Sequence, residues 1–215
     1  MKKILSLAIC LSLFTSVNAN AISLNNIAKQ EKINVNVLTE GVQKDLVEEI
    51  KNGVYATMID SSGKPVFLDC DVTISNISNI KNFRINTNDA QTYVMEVVAY
   101  ADSKKIESDT TDRNDSDISC SAKIEMQWTD VKGLKNTMDR LSGGYTVTKG
   151  EIRDTMVRWG SSHTRIEDSE HTGESSSFIV YPDYTGSQLH AHYQLDYKGT
   201  SNYDIIVCVQ PSIFD

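Results

Sequence analysis

The sequence predicts a mainly β protein: an antiparallel β-sandwich with one amphipathic helix at its N-terminal side. Three observations carry this expectation. From residue 54 onward apolar residues recur with period two, the spacing of strands that bury one face. Clusters of Gly, Asn, Asp and Ser separate these runs at short intervals. One early segment alone, residues 39–52, has helical spacing instead. A lone helix followed by a series of strands fits a two-layer β architecture rather than alternating β and α units.

The elements follow in order. Residues 1–21, MKKILSLAICLSLFTSVNANA, read as a signal peptide. Lys2 and Lys3 make a basic start, Ile4 to Phe14 is a mostly apolar run, and Val17-Asn18-Ala19 and Ala19-Asn20-Ala21 place small residues where a peptidase cuts. The run is too short to remain as a membrane span. Cys10 follows Ile9 rather than the small residue of a lipoprotein site, so it is expected to leave with the signal. Gln210 to Asp215 carries neither a sorting motif nor an apolar tail. The expected location is therefore secreted, extracellular, without membrane insertion after cleavage.

Residues 22–38 are polar and Asn-rich and read as an extended lead-in, with a short strand at Ile33 to Leu38. Residues 39–215 read as a single domain that opens with the helix. Thr39 is the expected cap, Val42, Leu46, Val47 and Ile50 share one face, and Asn52-Gly53 supplies the stop. Val54 to Ile59 is a strand, and Asp60 to Lys64 a turn. Pro65 starts another strand, in which Val66, Leu68, Cys70, Val72 and Ile74 point one way. Thr92 to Tyr100 presents Tyr93, Met95, Val97 and Ala99 to one face. Ile118 to Trp128 is the cleanest alternation, with Cys120, Ala122, Ile124, Met126 and Trp128 inward. Thr129 to Gly144 breaks the pattern, and Tyr145 to Val147 and Ile152 to Trp159 resume it. Residues 160–177 lack any apolar period and read as a long polar loop. Phe178 to Tyr181, Gln188 to Tyr197 and Tyr203 to Val209 complete a set of roughly seven to nine strands.

Charge and cysteines bound the chemistry. The formal net charge is −8, and the signal holds two lysines and no acid, so the remainder is more acidic still. An acidic surface repels phosphate backbones and anionic lipid heads, which argues against nucleic-acid binding. Cys70, Cys120 and Cys208 remain after cleavage, and export permits one disulfide among them, in any of three pairings. An immunoglobulin domain would also place a Tyr two residues before its second cysteine; Ile206 stands before Cys208 instead, so the expected architecture is immunoglobulin-like without being a true immunoglobulin domain.

The most specific local motif is His190-Ala191-His192. Residues two apart on a strand project from the same face, so both imidazoles can reach one zinc ion. His163 and His171 are further candidates in the preceding segment, together with the acids Glu167, Asp168, Glu170 and Glu174, and Asp196 lies on the same strand face as the pair. The competing reading is a polar, solvent-facing strand side, because Gln188, His190, His192, Gln194 and Asp196 alternate with apolar residues. Asp109 to Asp117 is acidic and hydroxyl-rich but departs from the EF-hand pattern, so calcium is less favoured than zinc. No nucleophile elbow or phosphate-binding glycine loop is present. Among the aromatic residues, Tyr184 in the turn Pro182 to Gly186 is the candidate contact for a ligand.

The stretch Ala122-Lys123-Ile124-Glu125-Met126-Gln127-Trp128-Thr129-Asp130, followed by Gly133, Asn136 and Ser142-Gly143, resembles a strand–Trp–turn pattern of uncharacterised secreted proteins of Gram-positive bacteria. The resemblance implies a β-rich exported protein and no activity. Together these features point to an exported, non-enzymatic module, without cofactor, that binds an extracellular protein or glycan. The alternative is a zinc-dependent hydrolase or metal-binding protein built on His190 and His192.

Overall fold

The computed structural model describes residues 33–59, 65–78, 90–102, 119–131, 136–161, 167–171, 176–186, 188–197 and 204–209. At residues 59, 65, 131, 161, 167–171, 197 and 204–209 it describes the backbone alone. The expected signal peptide, most of the expected lead-in, the acidic segment 109–117 and His163 lie outside these residues.

The described chain is mainly β, with thirteen strands and one helix. The elements are β1 (Ile33–Val37), α1 (Lys44–Gly53), β2 (Tyr55–Ile59), β3 (Pro65–Phe67), β4 (Asp69–Asn76), β5 (Ala90–Asp102) and β6 (Ser119–Val131). They continue with β7 (Asn136–Lys149), β8 (Ile152–Ser161), β9 (Glu167–His171), β10 (Ser177–Val180), β11 (Tyr184–Gly186), β12 (Leu189–Tyr197) and β13 (Asp204–Val209).

The strands form two sheets. A seven-stranded sheet runs β1-β4-β5-β6-β7-β10, with β11 also on β7; a six-stranded sheet runs β3-β2-β13-β12-β8-β9. All pairings are antiparallel except β1 with β4. One buried cluster draws on both sheets and on the helix: Ile50, Met58, Val72, Met95, Ile124, Trp128, Leu141, Val157, Tyr193 and Leu195 all belong to it. Phe178 of β10 touches Tyr193 of β12, ring centroids 4.7 Å apart, so side chains from the two sheets meet directly.

Alternation explains the strands that the sequence announces. In β6 every second residue from Cys120 to Trp128 is buried, and Tyr93, Met95, Val97 and Ala99 do the same in β5. Tyr93 stacks on Trp128 at 5.3 Å. The β5–β6–β7 meander thus fills much of the core with its inward faces.

Several expectations are corrected. The helix begins at Lys44, not Thr39, and its N-cap position is Gln43, without a side-chain cap. The Thr39 hydroxyl serves β4 instead, accepting from the Asn76 N–H at 2.7 Å, and Gly41 takes a φ of +89° that a helix cannot use. Leu46 and Ile50 are buried as expected, and Val42 packs partly on the core. The strand expected from Pro65 is two strands in different sheets. Phe67 pairs with β2, the chain crosses at Leu68, whose N–H donates to the Ala56 carbonyl at 2.9 Å, and Asp69 opens β4. Both halves keep period two, so the switch leaves no mark on the pattern.

Residues 136–149 form one continuous strand rather than a break. A register shift between Gln127 and Trp128 leaves Asp139 without an opposite partner in the β6–β7 ladder, and this bulge displaces the apolar positions of β7 by one. Residues 167–171, expected within a loop, form β9 at the edge of the six-stranded sheet. Its sequence EDSEH holds no apolar residue, so hydrophobic periodicity is blind to it. The short strand in the lead-in is integral to a sheet: β1 pairs with β4, and Ile33 and Val35 pack partly on the core. Residues 122–130 lie on β6, and Asn136, Ser142 and Gly143 lie on the neighbouring β7, with Gly143 beneath the Phe178 ring.

Candidate functional site

Strand alternation places His190 and His192 on the face of β12 opposite Leu189, Ala191, Tyr193 and Leu195, which enter the shared cluster. That second face was expected to meet solvent. It does not at this end: His190 is 2% and His192 6% exposed. Their rings meet edge to face, centroids 5.2 Å apart and planes at 81°.

The register defines their neighbours. On β8, Gly160 stands opposite His190 and Arg158 opposite His192. On β13, Cys208 stands opposite His192, and Cys208 in turn faces Tyr55 of β2. Opposite residues of an antiparallel pair share a face, so the positions of Arg158, His192, Cys208 and Tyr55 form one row across four strands. Tyr55 is itself buried and lies outside the main cluster. Arg158 turns its Nε–H to the Met156 sulfur at 3.5 Å.

The other metal candidates are distributed elsewhere. His171 lies on β9 opposite Met156, the β8 residue that also pairs with Gln194. Two strand spacings, about 9.6 Å, therefore separate the His171 position from β12, at a level one pleat beyond His192. Glu167, Asp168 and Glu170 are also on β9. Asp196 is engaged by Arg153 at 2.9 Å. Among the described side chains no group of three His, Cys, Asp or Glu converges as metal ligands would.

Neither Cys70 nor Cys120 is in a disulfide, and both are buried. The Cys70 thiol donates to the Leu68 carbonyl oxygen at 3.6 Å. Cys70 pairs with Ala99 on β5, whereas Cys120 lies on β6 opposite Ala101. Two strand spacings separate them, more than the roughly 7 Å between Cα atoms that a disulfide spans. Burial pushes the Cys120 thiol up to about 12, so this sulfur is held as an inert thiol. Cys208, the third candidate, lies on β13 among the residues described by backbone alone.

Tyr184, expected as the exposed contact, is half-buried: it opens β11 opposite Met138 and packs partly on the core. The exposed residues lie just before it. Ile179 is 60% and Tyr181 73% exposed. Sequence reasoning passed over Ile179 because an apolar residue in a strand is ordinarily assigned inward. The alternation around it, with Phe178 and Val180 buried, carries the signal that it points out.

The outward face of the β5–β6–β7 meander is polar. Lys123 pairs with Glu96 at 3.2 Å, and Arg140 with Glu125 at 2.9 Å, which also accepts from Ser142. Such pairs at the surface contribute about 1 kcal/mol or less each. At the β7 bulge the Asp139 carboxylate accepts from the Thr129 hydroxyl at 2.8 Å. Burial nonetheless raises the Asp139 pKa, the Thr129 bond opposes that rise, and the charge of Asp183 adds to it.

No family model matches the chain, and no curated protein or solved structure does either.

Proposed function

We propose that the protein is an exported, non-enzymatic binding module. In this reading its two sheets pack as an antiparallel β-sandwich of immunoglobulin-like architecture. The cluster shared by both sheets and the Phe178–Tyr193 contact support that packing. Ile206, not a tyrosine, stands two residues before Cys208, which favours an immunoglobulin-like architecture over a true immunoglobulin domain.

The observation that carries the binding role is a contrast between two sheet edges. Edge strands are ordinarily blunted with charge, and β9 follows that rule with EDSEH. Edge strand β10 instead turns Ile179 outward and runs into exposed Tyr181. Exposed apolar and aromatic groups at a sheet edge suit an extracellular protein or the face of a sugar ring. The net charge of −8 disfavours nucleic acid.

The test uses the mature chain, whose intact mass should correspond to cleavage after Ala19 or Ala21. Wild type is expected to bind saturably to the surface of producing cells, or to an extracellular protein or polysaccharide from a defined panel. Ile179→Ser combined with Tyr181→Ser is expected to weaken that binding about tenfold at unchanged Tm. Equal binding by the double variant removes this contact surface, and no saturable binding in any arm removes the module reading.

A second reading is favoured by one observation: two buried imidazoles in contact. Burial of a touching histidine pair fits a metal-binding protein or zinc-dependent hydrolase using His190 and His192.

A further inference from the structure

We propose that β10 is a dimerisation edge: two copies of this chain pair their β10 strands antiparallel, centred on Ile179, and so join their seven-stranded sheets. This rests on the binding-module reading above, whose contact surface is Ile179 and Tyr181, and names its partner as a second copy.

Hydrogen-bond phase fixes where the backbone of β10 points. The Tyr145 N–H donates to the Ser176 carbonyl oxygen at 3.0 Å. These two residues continue the β7–β10 register, in which Ser177 stands opposite Gly144, so they form a hydrogen-bonded pair. Hydrogen-bonded and non-hydrogen-bonded pairs alternate along an antiparallel ladder. Phe178 and Val180 therefore direct their backbone groups to β7, whereas Ser177 and Ile179 direct theirs away from it. On that side no described strand pairs with β10, which ends its sheet, and Ser177 and Ile179 are both exposed.

The complement of such an edge is an extended backbone, and a second copy supplies one of the same length and phase. Pairing about a two-fold axis sets Ile179 opposite its counterpart, where the two residues exchange both hydrogen bonds, and sets Ser177 opposite the counterpart of Tyr181. On the outer face the two Ile179 side chains then hold their Cβ atoms about 4.5–5.5 Å apart, with each Tyr181 diagonal to the opposing Ile179 at about 7–8 Å. One apolar strip replaces two exposed patches.

Charge favours this seam between like copies. Two chains of net charge −8 repel each other, so contact between them needs a stretch without carboxylates. Residues 175–182, SSSFIVYP, hold no acid and no base. Asp183 takes a φ of +45°, which turns the chain out of the extended conformation before its carboxylate can enter the ladder. The other edges lack this combination: β9 is EDSEH, β3 opens on Pro65, and β1 exposes Asn34 and Asn36.

The test measures the mass of the mature chain by sedimentation equilibrium from about 1 μM to about 1 mM. Wild type is expected to pass from one copy to two. Ile179→Lys, which sets like charges opposite each other, is expected to weaken the dimer about tenfold or more while keeping the wild-type Tm at low concentration, because the side chain is exposed. Ile179→Glu is expected to behave in the same way. An equal mixture of Ile179→Lys and Ile179→Glu is expected to recover the dimer, since opposite charges then face each other across the seam. A mixture that stays single overturns the centring on Ile179. Undiminished dimerisation by Ile179→Lys overturns β10 as the seam. A single-copy mass for wild type at every concentration overturns the second copy as partner; the binding-module reading is then decided by its own panel, where loss of binding by the Ile179 and Tyr181 double variant assigns the edge to that other protein or polysaccharide.

Discussion

At the scale of single residues, environment rather than identity sets behaviour. Asp139 belongs to a residue type that ordinarily sits charged in solvent, yet the β7 bulge holds it part-buried beside Thr129 and near the charge of Asp183. Its folded pKa is raised, so the folded state binds the proton more tightly than the unfolded state does. The stability this contributes is present below the unfolded carboxyl value and is lost as pH rises through the folded value. At neutral pH the ionised group is therefore a net cost. Asp139→Asn is expected to raise Tm at pH 7, and the difference from wild type should close as pH falls towards about 3.8, the ordinary carboxyl value. Thermal melts at both pH values check this, and a lower Tm for the variant at pH 7 would contradict the assignment. The histidines teach the same lesson. Their alternation was plain in the sequence, whereas their burial was not, because period two marks which residues share a face and leaves open what covers that face.

At the scale of elements, close approach decides where strands can dock. A Cβ on Gly143 would overlap the Lys123 carbonyl oxygen and stand 2.8 Å from the Phe178 ring. Gly143 is thus the seat on which Phe178 anchors β10. Gly143→Ala is expected to lose about 1–3 kcal/mol by overpacking, and Phe178→Ala about 3–5 kcal/mol by leaving a cavity. Urea denaturation checks both through a lowered midpoint at unchanged m-value. Losses within about 0.5 kcal/mol would show that β10 adds little to the fold. The elements legible in the sequence were those with one apolar face, such as β5, β6 and β12. Those that escaped lacked apolar residues or were disturbed by a local device: the polar edge β9, the bulged β7, and the β3–β4 run that changes sheet at Leu68 without interrupting its alternation.

At the scale of the molecule, both sheets depend on one buried cluster. Trp128 lies in the seven-stranded sheet and Trp159 in the six-stranded one, and both belong to that cluster. Neither sheet can lose its inner face without exposing the other, so the chain is expected to unfold in a single transition. Variants carrying only one tryptophan, Trp128→Phe and Trp159→Phe, should report fluorescence midpoints that agree with each other and with far-UV circular dichroism. Each is compared at its own stability, and separated transitions within one variant would show that the sheets unfold independently.

By itself the sequence determined the β class, the inward residues of the long strands, the early helix face of Leu46 and Ile50, and the shared face of His190 and His192. These follow from periodicity, which is a local property of consecutive residues. Only the tertiary structure decided that the Pro65–Ile74 run divides between sheets, that Cys70 and Cys120 lie too far apart to bridge, that Ile179 and Tyr181 are exposed while Tyr184 is half-buried, and that Cys208 stands opposite His192. Each of those depends on strand pairing between segments distant in sequence. Pairing register is set by the packing of whole faces, so no window along the chain contains it.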